Sequence, residues 1–126
     1  MKDLTNLEQA VLDRLLDGDN KVLTILREQT RQARVVKRKY TGAGFYCEFE
    51  VGGDTPVVQR DYQLGDVQAV ISGLKHGAGF VLFVRGGRIS MLEGYTYDEP
   101  WPDQICDFTL KYSDAERAAE LANLTA

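Results

Sequence analysis

The chain reads as an α+β domain. It predicts an N-terminal helical hairpin packed on an antiparallel sheet of about five or six strands, followed by a short C-terminal helix. Three observations predict this. Apolar residues recur at helical spacing over the first 33 residues. From about residue 34 the pattern changes to short β-branched and aromatic runs punctuated by glycine. A late capping signature, Ser113 with Glu116, then opens an alanine-rich end.

In chain order, Thr5 and Glu8 form a capping box ahead of an apolar stripe at Leu7, Val11, Leu12, Leu15 and Leu16. Gly18 stops that helix. Asp19 or Asn20 caps the next, whose apolar residues are Val22, Leu23, Ile25 and Leu26. The short link between them predicts a hairpin of antiparallel helices. ARVVKRKY is the first strand candidate. FYCEFEV alternates, with Phe45, Cys47, Phe49 and Val51 on one face and Tyr46, Glu48 and Glu50 on the other. Residues 52–65 read as a long polar connection. Residues 66–74 fit a helix through Val67, Val70, Ile71 and Leu74, or a strand through Val67, Ala69 and Ile71. Strand is favoured, because Gly73 would interrupt an already short helix. FVLFV and RISMLE follow as a hairpin around Gly86-Gly87, a primed two-residue turn. QICDFTLKY is the last strand, with Cys106, Phe108 and Leu110 expected inward.

At 126 residues and 44% apolar the chain suits one domain, residues 1–126, with a core that needs no staples. Its two cysteines, Cys47 and Cys106, are expected reduced and core-facing. The opening MKDLTNLEQAVLD lacks the apolar segment of a signal peptide, and the longest apolar run is five residues. A cytoplasmic protein with no membrane association is expected.

The net charge of −4 is uneven: residues 27–39 carry six basic groups and one acidic, leaving −9 elsewhere. Arg27, Arg31, Arg34, Lys37 and Lys39 suggest a basic strip. No aromatic ring interleaves with it before Tyr40, so nucleic acid is not the expected partner. His76 is the sole histidine, in a glycine-rich turn without a nameable catalytic partner. One histidine and two separated cysteines make no metal-ligand set, and no cofactor is expected.

GAGF occurs twice, at 42–45 and 77–80. Both copies run into strands, whereas a phosphate cradle lies between a strand and a helix. They are read as turns with positive-φ glycine, and nucleotide binding is rejected. FVLFV is apolar on both faces. If Phe80, Leu82 and Val84 meet the helices, Val81 and Phe83 need another cover: the terminal helix with the 52–65 connection, or a second subunit in a homodimer.

LEGYTYDEPWPDQICD, residues 92–107, gathers Tyr95, Tyr97 and Trp101 with Glu93, Asp98, Glu99, Asp103 and Asp107, and holds no basic residue. Pro100 and Pro102 hold Trp101 in extended backbone. Glu93, Tyr95, Tyr97, Asp98, Glu99 and Trp101 are therefore the candidate binding residues, facing a basic protein partner. For Trp101 itself the favoured reading is a plug at the core edge. An enzymatic alternative is a small hydrolase or ligand-binding enzyme using Glu93 with Tyr95, Tyr97 or Asp98.

The run GAGFVLFVRGGRISMLEGYTYDEPWP, with DVQAVISGL before it, resembles a group of small uncharacterised bacterial proteins. More loosely, it is similar to β-rich immunity proteins of toxin systems. The resemblance spans residues 66–102 and brings no catalytic residues. It implies a protein partner. The leading expectation is a non-enzymatic, cytoplasmic protein-interaction module, immunity-like in that sense.

Overall fold

A computed structural model describes residues 3–124. Thr5 caps α1 (Asn6–Leu15) as a reciprocal box: Glu8 N–H donates to Thr5 Oγ1 at 3.1 Å, and Thr5 N–H donates to Glu8 Oε1 at 3.0 Å. Asn20 caps α2 (Lys21–Gln32), its Oδ1 accepting from Val22 and Leu23 N–H. The link is tied down by Arg27, which donates to the Leu16 and Gly18 carbonyls. The two helices are neighbours in sequence, but the expected hairpin packing is not what holds them. Each lays its apolar stripe on strands, α1 over one half of the sheet and α2 over the other. The reason is where those stripes point: Val11, Leu12 and Leu15, like Leu23 and Leu26, are essentially inaccessible against the sheet core.

The sheet has seven strands among the described residues, more than the sequence suggested. They are β1 (Ala33–Tyr40), β2 (Gly44–Val51), β3 (Tyr62–Leu64), β4 (Val67–Ile71), β5 (Ala78–Arg85), β6 (Arg88–Thr96) and β7 (Phe108–Tyr112). The order is β1-β2-β6-β5-β4-β7, with β3 sharing the β5 edge, and every pairing is antiparallel. The extra strand is β3, the end of the expected long connection. Residues 66–74 give a strand, β4, as favoured. Gly86 and Gly87 take φ of 60° and 79°, the left-handed pair that a primed turn requires. The last strand begins only at Phe108. Its ladder partner β4 ends opposite, at Ile71, so residues 104–107 have nothing to pair with as a ladder. Cys106 therefore lies outside any strand and is exposed, a correction to the inward position expected for it; Cys47 is buried as expected.

Alternation sorts the sheet into two faces. Phe45, Cys47, Phe80, Leu82, Val84 and Leu92 meet the helices. A bulge at Val36 in β1 shifts the phase of that strand, so that Arg38 turns inward opposite Cys47 while Lys37 and Lys39 face out. The segment between β2 and β3 does not cover the outer face. Val58 enters the helix-side core, and its N–H donates to Gly87 O at 3.0 Å. Helix α3 (Asp114–Asn123) closes the edge near the β3–β4 junction, with Leu124 buried beyond it. Ser113 makes no side-chain cap bond, so only the backbone of the expected late capping box is present.

Candidate functional site

The two GAGF copies explain each other through β6. Gly44 and Gly79 both pair with Tyr95, from opposite sides, and Phe45 and Phe80 both pair with Gly94. Gly42 and Gly77 enter the two strands at φ of 85° and 68°, as the turn reading required. On the outer face the Tyr95 ring lies over Gly79, where an added Cβ would sit 2.5 Å from it. On the inner face the Phe45 ring lies over Gly94 at a corresponding 2.3 Å. The repeat is therefore a clamp on one dipeptide, Gly94-Tyr95, with an aromatic ring filling the space above each missing side chain.

The candidate residues of the 92–107 segment divide between the two faces. Trp101 turns inward. Its N–H donates to Gly42 O, and its ring meets Phe45 at 5.1 Å and Phe80 at 6.5 Å, both edge-on. It is the plug of the core edge. It borders a cavity of about 260 Å³ that also touches Thr5, Leu7, Tyr40, Asp103 and Cys106. Glu99 is a staple: its carboxylate accepts from the N–H groups of Lys75 and His76 at 2.9 and 3.1 Å, which hold it below the usual carboxylate range. Asp98 occupies the left-handed turn position before it, with φ of 59°. None of the principal cavities is lined by Glu93, Tyr95, Tyr97 or Asp98.

Glu93 and Tyr95 stay outside. Glu93 stands half-buried between Tyr46 and Val81 in the adjoining strands. Tyr95 and Tyr97 cross edge-on at 5.6 Å, and burial pushes the Tyr95 hydroxyl up to about 12, reinforced by Tyr97. They continue into Val81, Phe83 and Met91, all half-buried, with Tyr46 and Glu48 on the flanking strand. Lys37 lies over the Tyr46 ring at 5.7 Å, and the Arg85 guanidinium over Phe83 at 5.0 Å. Helix α3 borders the Val81 end of this row: its Glu120 accepts from Gly65 N–H, and Gly65 adjoins the Val81 side chain. Neither α1, α2 nor the β2–β3 segment packs over them.

The basic strip does not assemble. Arg27 is used in the interhelix link, while Arg31 and Arg34 make exposed ion pairs with Glu28 and Glu50. A basic residue of this run that the sequence did not single out, Arg38, forms a buried pair. Its guanidinium reaches both oxygens of Glu8, whose side chain is 2% exposed. Glu8 raises the Arg38 pKa further, and burial pushes the Cys47 thiol beside them up to about 11. Gln29 was also missed. Wholly buried, it donates to Pro56 O and Gly87 O at 2.9 and 2.8 Å and accepts from Ile89 N–H at 2.9 Å. The capping box pointed to Glu8, but no local pattern marks Arg38, 30 residues from Glu8, or Gln29, whose partners lie 27 to 60 residues away.

No group of three or more metal-ligating side chains occurs among the described residues. No helix among them is long and apolar enough to cross a membrane. Comparison with known proteins finds no match: no family model, no curated protein and no solved structure.

Proposed function

We propose that the chain is a non-enzymatic protein-interaction module that works through the outer face of its sheet, with a second copy of the chain as the occupant. The observation that carries this is the apolar and aromatic row Val81, Phe83, Met91 and Tyr95, which no helix of the pair covers. Soluble proteins seldom leave such a row open to water. The face carries both charge signs in adjoining rows, Lys37 and Lys39 on β1 and Glu48 and Glu93 on β2 and β6. A face of one sign would repel its own copy and select an oppositely charged partner; a mixed face does neither. Isologous pairing about a two-fold axis is the commonest way to bury such a surface. The resemblance to immunity proteins supports the same class of function, binding to protein. A cytoplasmic setting belongs to this reading.

The hydrolase alternative requires Glu93 to converge with Tyr95, Tyr97 or Asp98 in a concave site. These groups instead lie along an open sheet face and its turn, which favours docking over catalysis. The basic-partner expectation rested on acidic residues acting together. Glu99 is occupied by two N–H groups, and Asp103 borders the Trp101 cavity rather than the sheet face.

Light scattering at micromolar concentration tests the proposal. The expected mass is twice 14.1 kDa, and a single-chain mass would overturn the assembly. Phe83→Glu should yield the single-chain mass with an unchanged far-ultraviolet spectrum. A dimer surviving both Phe83→Glu and Val81→Lys would place the contact on another surface.

A further inference from the structure

Helix α3 is fastened by a small polar cluster. Arg117 donates through Nη1 to Asp66 Oδ2 at 3.1 Å and to Leu15 O at 3.0 Å, and through Nη2 to Asp17 O. Asp66 is wholly buried. One turn along α3, Glu120 Oε1 accepts from Gly65 N–H at 2.6 Å. Each carboxyl group keeps one oxygen, Asp66 Oδ1 and Glu120 Oε2, that is buried without a donor. The two groups are brought together by the backbone, since the Gly65 N–H that holds Glu120 immediately precedes Asp66. Two carboxylates cannot bond each other when both are ionised. One guanidinium neutralises only one of them, and the orphaned lone pairs would repel in a poorly solvated site. A single proton between the two satisfies both oxygens at once.

We propose that Glu120 is protonated when α3 is docked and donates to Asp66, so that α3 is held by a proton-dependent latch. Asp66 is the acceptor of the pair because Arg117 Nη1 stands 3.1 Å from its Oδ2. Burial is the largest influence on Glu120 and pushes its carboxyl up to about 7. The Gly65 N–H opposes this, Asp66 adds to it, and Arg117 opposes it. A glutamate in the unfolded chain titrates near ~4.3. The native state thus holds this proton to higher pH than the unfolded state does. The stabilisation is fully present below about 4.3 and is lost as the pH rises through about 7.

The other charged and titratable groups around the cluster come from four elements. Asp17 and Arg14 lie at the end of α1, Tyr112 and Lys111 on β7, Arg60 beside the Asn123 carbonyl, and Glu116 on α3 itself. Burial pushes the Tyr112 hydroxyl upward, away from the neutral range. His76 stands in the turn after the far end of β4.

The test is a carbon-detected titration of the glutamate carboxyls in the intact protein, together with amide exchange of α3 at pH 5 and pH 8. Glu120 should titrate near 7. Protection of α3, corrected for intrinsic exchange, should fall at least about tenfold between the two conditions. In Glu120→Gln the amide donates to Asp66 at every pH, so protection should stay level. A Glu120 inflection near ~4.3 would overturn the latch. So would an α3 in Glu120→Gln that loosens with pH as the wild type does. The titration needs no variant, so it decides the matter even where the substitution impairs folding.

Discussion

At the scale of single residues, the chemistry of the two cysteines follows from their surroundings. Cys47 lies under Arg38 in the helix-side core, and burial raises its thiol to about 11, leaving it protonated at neutral pH. Cys106 is exposed at the rim of the Trp101 cavity. An aromatic disulfide reagent at pH 7.5 should therefore label one thiol rapidly, and the second only as fast as the protein unfolds. Rapid labelling of both, or loss of the fast phase in Cys47→Ala rather than in Cys106→Ala, would contradict this assignment. Gly94 gives a second prediction. A methyl group there would stand 2.3 Å from the Phe45 ring, which is itself buried and cannot swing away freely. Gly94→Ala should cost about 1–3 kcal/mol in chemical unfolding. It should also shift the emission of Trp101, the sole tryptophan, because Phe45 is its nearest ring. Unchanged stability together with unchanged emission would mean that β6 yields there more easily than the packing implies.

At the scale of elements, α2 matters more for what it organises than for its own length. Its apolar stripe covers the β1, β2 and β6 half of the sheet, while Gln29 reaches past that stripe to three backbone groups of two other segments. The β2–β3 connection and the β5–β6 turn are thereby bound to one side chain. Gln29→Leu keeps the approximate volume but strands Pro56 O, part of the bonding of Gly87 O, and Ile89 N–H. Buried polar groups left unpaired are costly, and the expected loss is about 3 kcal/mol in denaturant unfolding. A loss within about 0.5 kcal/mol would mean that water replaces the amide. The same element shows why the hairpin expectation differed from the fold. The interhelix link was legible in glycine and the caps. Which surface each stripe would meet was not, because an apolar stripe reads the same against a helix or a sheet.

At the scale of the whole molecule, both long N-terminal helices cover the same side of the sheet. A dimer formed through the other side would make the melting temperature rise with protein concentration, by mass action, and this dependence should vanish in Phe83→Glu. A melting temperature independent of concentration in the wild type would speak against assembly through that face. What the amino-acid order determined by itself is local. Thr5 and Asn20 start the helices, Gly86-Gly87 turns the central hairpin, alternation in FYCEFEV assigns Phe45, Cys47 and Phe49 to one face, and Val67, Ala69 and Ile71 mark β4. Those signals act over a few residues, where spacing and backbone preference leave little choice. Tertiary structure alone decided the rest. It delayed the start of β7 to Phe108 for want of a ladder partner, and set Trp101 inside while leaving Glu93 and Tyr95 outside. It also brought Arg38 to Glu8 and Arg117 to Asp66. Each of these depends on which distant segments meet, and Arg38 also on the bulge-shifted register of β1. Strand order is a property of pairings between distant segments, and the free energy that selects it comes from burial shared among them all.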